Sequence, residues 1–454
     1  MRRRIAFVPW LIAAIALAAI ARWPSYVGRR ADVARAATLP TPAPVAADYV
    51  RRDAIIAFWE RAQAKNLRGD MLSPGMLSAQ YLQRYRERGD AGDALRALAE
   101  ARRSLRAQPR GNLAGETDLG AALLTLHRFK EALRVTRDAE RDAPGDPGTL
   151  IREASLDLEL GRYEAAGAIL TALRRDAKAF GTGAGSIPLD TLRTRYDELT
   201  GHLARARERF ARVTAYANAQ LDEPAQSRAW FSVRSGELAF EAGAVDEATA
   251  DERVALAVFP NDADANRLLA RFSCALHDWR TCLGAASAAA AIVPYPETLG
   301  YEVDAQRALG DGAAAARTDD LIRTIERIGN AQHISDRLLA IYYDEHRERV
   351  DDAYAIAKRE LAVRDDVFTE DTLAWAAAMS GRWEEARVRS RRALRYGTEN
   401  ALLLYHAGVI AQRSGANREA RRRFTAALQL NPAFHPSYAD DARARLRALA
   451  AESA

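Results

Sequence analysis

The chain has 454 residues with 48% hydrophobic content, and 66 Lys and Arg set against 61 Asp and Glu leave a formal charge of +5. That length exceeds what one compact core usually supports. A net charge so small for the length excludes the broad positive field that nucleic-acid binding needs, so no nucleic-acid partner is expected.

The first feature in chain order is Arg2, Arg3 and Arg4, followed by an apolar run at residues 5–21 that only Pro9 interrupts and Arg22 closes. Such a run reads as a cleaved export signal or as a retained membrane anchor. As a helix its 17 residues would span about 25 Å, slightly short of a ~30 Å hydrocarbon core. Residues 1–22 are assigned to this signal or anchor. The chain is accordingly expected to be exported, either periplasmic or held in the inner membrane with its folded part in the periplasm. Arginines flank both ends of the run, so the positive-inside rule selects no topology. Residues 23–47, with Pro40, Pro42 and Pro44, read as an extended Ala/Pro-rich linker. Residues 48–70, where Ile55, Ile56, Phe58 and Trp59 supply an apolar face, read as an N-terminal capping helix.

Beyond residue 70 one punctuation recurs. Turn residues fall at Gly89, His127, Gly161, Gly201, Gly243, His277, Gly310, Glu348, Gly381 and Gly415, with spacings of 33 to 42, five of them 33 or 34. Five residues after each turn stand Ala94, Ala132, Ala166, Ala206, Ala248, Cys282, Ala315, Ala353, Ala386 and Ala420. A small residue at that place lets a second helix lie close against the first. The clearest copy is residues 401–432. Leu404, Ala407, Gly408 and Ala411 sit on a first helix, Gly415 in the turn, Ala420, Phe424 and Ala427 on a second helix, and Pro432 ends it.

These residues at these spacings resemble the tetratricopeptide repeat family, over about residues 75–432. The resemblance implies an all-α fold: a right-handed α-solenoid of about ten helix-turn-helix repeats at 71–434, closed by a C-terminal capping helix at 435–454. Val303 and Ile341 replace the small residue expected on the first helices of the seventh and eighth repeats, where the boundaries are least marked. The resemblance also implies a protein or peptide partner on the concave face made by first helices. The corresponding positions are Trp230, Glu237 and Phe240 in the fifth repeat, Arg267 and Arg271 in the sixth, and Asp304 and Arg307 in the seventh. Further on come Tyr342, Glu345 and His346, then Trp375, then Tyr405. Aromatic faces and forked arginines suit an extended or helical peptide.

Catalytic motifs are missing: there is no H-E-x-x-H, G-x-S-x-G, P-loop lysine or C-x-x-C pattern. The glycine-rich stretch at 181–186 joins two repeats and reads as a connector. The histidines lack metal-ligand spacing on one helix face, and no metal or cofactor is expected. Cys274 and Cys282 flank one turn. A disulfide is possible for them, but a pair of reduced, buried thiols is the favoured reading because Cys282 takes an alanine position. Arg387, Arg389, Arg391, Arg392 and Arg395, with Arg418, Arg421, Arg422 and Arg423, mark a basic outer face in which Glu384, Glu385 and Glu419 are interleaved. It reads as a solvated surface. The expected function is a non-catalytic scaffold that holds a protein partner in its groove. The alternative is an envelope assembly or accessory factor for glycan or lipid, favoured by a closed or apolar groove, and an enzyme bearing the repeats is the least favoured.

Overall fold

The computed structural model describes residues 47–65, 67–175, 187–219, 223–331 and 337–451. The apolar run, the linker through residue 46 and the glycine-rich stretch lie outside them. The described residues form 22 α-helices and no strand. Helix α1 (Asp48–Ala64) caps the N-terminal end. Five hairpins follow: α2 (Leu72–Arg88) with α3 (Ala91–Ala107), α4 (Leu113–Thr125) with α5 (Phe129–Asp142), α6 (Pro147–Glu159) with α7 (Tyr163–Arg175), α8 (Ile187–Leu199) with α9 (Leu203–Asn218), and α10 (Ala225–Glu241) with α11 (Val245–Val258). Five more complete the array: α12 (Ala263–Ala275) with α13 (Trp279–Ile292), α14 (Pro296–Ala308) with α15 (Gly312–Ala331), α16 (Arg337–His346) with α17 (Val350–Val363), α18 (Val367–Met379) with α19 (Trp383–Ala393), and α20 (Ala401–Arg413) with α21 (Asn417–Leu430). Helix α22 (Tyr438–Ala451) covers the last hairpin. The chain is thus an all-α, tetratricopeptide-like solenoid.

Local chemistry explains each hairpin. In several repeats the connector before the first helix ends in a side chain that caps its free amides. Asp146 accepts from Thr149 N ahead of Pro147, Asp262 from Ala265 N, Asp366 from Thr369 N, and Asn400 from Leu403 N. The turn inside the hairpin needs a left-handed residue, supplied by glycine in most repeats and by His127 and His277 in two. The small residue five places on is buried in every repeat, from Ala94 to Ala420. The close crossing it permits is explicit at Gly408, where a Cβ would come within 2.6 Å of the Phe424 ring.

Two sequence expectations change. The eighth turn is not centred on Glu348. Arg347 and Arg349 take the left-handed conformation instead, and the Glu348 amide donates to the Tyr343 carbonyl. The cysteines are not free thiols: Cys274 and Cys282 form a disulfide with Cα atoms 5.2 Å apart, joining α12 to α13 across their turn. Antiparallel helices in close contact bring the two residues within bridging distance, so the small-residue position that argued for a thiol also makes the bond sterically possible.

The array coils tightly enough to meet itself. A Cβ on Gly161 would collide with the Asp365 carbonyl, one on Gly201 with Gly397, and one on Gly243 would approach the Leu430 carbonyl to 2.7 Å. Earlier, Gly89 abuts Val293 and Lys130 Nζ donates to the Ala362 carbonyl at 3.1 Å. Later, the His277 ring nitrogen Nε2 lies 2.8 Å from the Pro436 carbonyl. The turn of one repeat therefore meets, in most cases, the connector that follows the repeat five places later, which defines one superhelical coil.

Candidate functional site

The seam between coils is bonded as fully as a core. Thr398 Oγ1 donates to the Leu199 carbonyl at 2.6 Å, Asn400 Nδ2 to Glu241 Oε2 at 2.6 Å, and Asn431 Nδ2 to the Phe240 carbonyl at 2.6 Å. Tyr163 and Tyr396 pack with ring centroids 4.7 Å apart. Beside them Arg364 is held by Glu159 at 3.2 Å and Glu360 at 2.9 Å, and Arg337 faces Asp366 at 3.6 Å. Arg195 joins these groups around an internal cavity with room for about one water molecule.

The expected partner-binding residues lie largely inside the array. Trp230, Glu237, Phe240, Arg267, Tyr342, Trp375 and Tyr405 are all buried, and Arg271, Asp304, Glu345 and His346 are half-buried. Only Arg307 is exposed, and it pairs with Asp319 at 2.8 Å. Each of the others has an internal partner. Trp230 packs edge-on against Phe210 and Phe231. Phe240 stacks on Phe272 with centroids 4.4 Å apart, under the Arg271 guanidinium. Arg267 bonds Glu297 at 3.2 Å and Asp264 at 3.3 Å, Arg271 bonds Glu241 at 3.0 Å, and Glu237 pairs with Arg234. His346 Nε2 lies 3.0 Å from Asp304, and the Tyr342 hydroxyl donates to Asp319. Glu345 faces His435 at 3.3 Å. Trp375 stacks on His406, while Tyr405 stacks on Tyr438 of α22 and donates to Asp441 at 2.6 Å. Most of these partners sit on the same or the neighbouring repeat, so the side chains tie successive first helices together.

The electrostatics of these groups reflect their burial. Burial pushes Glu241 above its ordinary range even though Arg271 opposes the shift. Burial likewise raises Asp264 to about 6 against the pull of Arg267. Glu237 is the exception: burial raises it, but Arg234, Arg267 and Arg271 together hold it below the usual carboxylate range. Such groups interlock the coil and are not displayed to a ligand.

The basic outer face is largely neutralised. Arg389 and Arg392 reach Glu370 at 3.3 and 3.4 Å, Arg387 pairs with Glu384 at 2.6 Å, Arg395 with Asp365 at 3.8 Å and Arg423 with Glu419 at 3.4 Å. Arg421 donates to the Leu449 carbonyl, which leaves Arg391, Arg418 and Arg422 to solvent. No group of His, Cys, Asp and Glu among the described residues has an arrangement that would hold a metal ion. No described helix is long and apolar enough to cross a membrane.

What sequence reasoning missed is an asymmetry between the repeats. The turns of the first five are covered by a later segment of the chain and the sixth is touched only at His277, by the Pro436 carbonyl, whereas Gly310, Gly381 and Gly415, in the turns of the seventh, ninth and tenth, have no described atom within 4 Å of a Cβ position. Leu160, beside covered Gly161, is 6% exposed, and its counterpart Leu309, beside open Gly310, is 43% exposed. The spacing of a single repeat carries no signal for this, because coverage depends on a segment five repeats away.

No protein-family model matches the chain. No curated protein matches its sequence either. Among solved structures, the crystal structure of yeast Tom70 is similar at 11% identity and a TM-score of 0.36, covering 86% of this chain and 97% of that one. The crystal structure of the APC/C hetero-tetramer Cut9-Hcn1 is similar at 14% identity and a TM-score of 0.38, covering 88% of this chain and 82% of that one.

Proposed function

We propose that the protein is a non-catalytic scaffold that binds a protein partner along the open turn edge of its second coil, at repeats seven to ten. The observation that supports this is the difference between covered and open turns. On the first coil the covering segments are extended connectors whose side chains donate to the last carbonyls of first helices, as Thr398 does to Leu199 and Asn431 to Phe240. Helices α14, α18 and α20 end in the same kind of carbonyl row, which carries the negative end of the helix dipole. An extended segment of another protein, with side-chain donors for those carbonyls and an apolar residue for Leu309, fits the edge. The glycan or lipid reading has less support. The side chains proposed for the groove are mostly engaged in ion pairs and ring stacking with neighbouring repeats, which offers little to a sugar or an acyl chain. Export remains part of the proposal, and the Cys274–Cys282 disulfide supports it, since such bonds persist in oxidising compartments.

The test is site-specific photo-crosslinking in cells that make the protein, with the reactive residue placed at 309, 381 or 415 and, as control, at exposed Val388 on the outer face. One protein adduct shared by the edge positions, absent at 388 and lost with Leu309→Arg, is the expected result. Adducts that are equal at 388, or missing from the edge, overturn the assignment.

A further inference from the structure

The two capping helices differ in what they show to solvent. A terminal cap keeps a solenoid soluble by presenting a polar outer face. Helix α22 does so, with no large apolar side chain exposed. Helix α1 does not: Val50 and Phe58, 67% and 57% exposed, lie with exposed Ala54 at i, i+4 and i+8 on its outer face. Exposed Leu67 and Leu72 continue the strip into the turn that follows and the start of α2. At about 100° per residue, Arg51, Arg61 and Lys65 fall on the same side as the stripe.

The charges are sorted in the same way. Every acid of α1 and its following turn is tied to the body of the protein. Asp48 pairs with Arg52 and accepts from Ala225 N at 3.0 Å, and Asp53 holds Arg84 and Arg88 at 2.7 and 2.8 Å. Glu60 accepts from the Tyr81 hydroxyl at 2.7 Å, and Asp70 from Ser73 N at 3.0 Å. The cations Arg51, Arg61, Lys65 and Arg68 are exposed and form no ion pair with a described residue. The outcome is a surface of bulky apolar groups set among unneutralised cations, the combination that lies in the interfacial plane of a bilayer with anionic headgroups. In the sequence this surface follows the apolar run at 5–21 by fewer than 30 residues, so a retained anchor would bring it to the same membrane. We propose that the outer face of α1, with Leu67, Arg68 and Leu72, docks on an anionic lipid surface. This inference does not depend on the partner edge, which belongs to the opposite part of the array.

Vesicle co-sedimentation tests it, using the full chain with Leu11→Asp and Ile15→Asp so that the apolar run contributes no affinity of its own. The probes are phosphatidylcholine vesicles with and without phosphatidylglycerol. The parent is expected to partition about tenfold more onto the anionic vesicles, and both Val50→Ser with Phe58→Ser and Arg61→Glu with Lys65→Glu are expected to remove about that factor. Equal helicity by circular dichroism shows that the variants remain folded, and all four substituted side chains are at the surface. Equal partitioning of parent and variants, or indifference to phosphatidylglycerol, overturns the proposal. So does self-association in sedimentation velocity that Phe58→Ser abolishes while no vesicle binding is seen, which would assign the face to a second copy.

Discussion

Asn431 Nδ2 donates to the Phe240 carbonyl at 2.6 Å across 191 residues of chain, and its Oδ1 accepts from Ala433 N at 2.8 Å. One buried amide thus fastens the end of the tenth repeat to the turn of the fifth. Replacing it by alanine removes a buried bond worth about 1 to 3 kcal/mol in local stability. Amide hydrogen exchange in Asn431→Ala should accelerate by about tenfold in the 238–248 turn and remain unchanged at Ala97–Ala101 in the first hairpin. Uniform acceleration across the array would show that the seam is not a separate cooperative unit.

Gly161 and Gly381 have nearly the same left-handed φ, +75° and +77°, but only Gly161 faces a covering backbone. Alanine at 381 should cost the conformational strain alone, about 1 kcal/mol. Alanine at 161 should cost about 3 kcal/mol, since overpacking against Asp365 is added to the strain. Urea titrations of the two variants, read by exchange at each turn because a repeat array need not unfold as one unit, separate the two effects. Equal costs would mean the first and second coils do not touch in solution.

Two groups of the eighth repeat make the fold less stable as pH rises. Burial opposes protonation of His346, but the Asp304 carboxylate and the Tyr342 carbonyl outweigh it and push the imidazole up to about 9. Burial, with Glu345 beside it, pushes Asp344 up to about 8. Both folded values lie above the unfolded ones. The His346 contribution is therefore complete below about 6.5 and is lost as pH rises through about 9. That of Asp344 is complete below its ordinary value near 3.8 and is lost as pH rises through about 8. The melting temperature should fall from mildly acid to mildly alkaline solution. Asp344→Asn should melt above the parent at pH ~8 and flatten the fall, because it keeps the neutral form without binding a proton. A melting temperature independent of pH over that interval would contradict these environments.

The Cys274–Cys282 bond closes a short loop, with a sequence separation of 8. Reduction should cost about 2 to 3 kcal/mol in the sixth hairpin by the loop-entropy relation. Thiol titration of the denatured, unreduced protein should find no free thiol, and two after reduction. Two thiols before reduction would restore the reading that the alanine-like position of Cys282 first suggested.

How much of this was legible can be traced to individual residues. The hairpins were, because Gly161, Gly415, Ala166 and Ala420 act within one repeat and their chemistry is local. The turn at 347–349 was not, since Arg347 and Arg349 take a conformation that arginine seldom adopts and that no residue preference signals. Phe240, Arg267 and Trp375 stood out by residue type and helix position, but their contacts with Phe272, Glu297 and His406 of the next repeat were not legible. Whether an interior is open depends on a small rotation per repeat summed over five repeats, and no single repeat records that sum. For the same reason Asn400 and Asn431 looked like ordinary helix punctuation.

The distance along the chain between a turn and its cover also has a consequence in time. Asp365 follows Gly161 by 204 residues, which at roughly 5–20 residues per second takes a ribosome about 10 to 40 s to reach. For that interval a newborn first coil has its hairpins formed and its edge bare, so the early repeats are presented to chaperones, or to a waiting partner, in a form that the finished protein no longer displays.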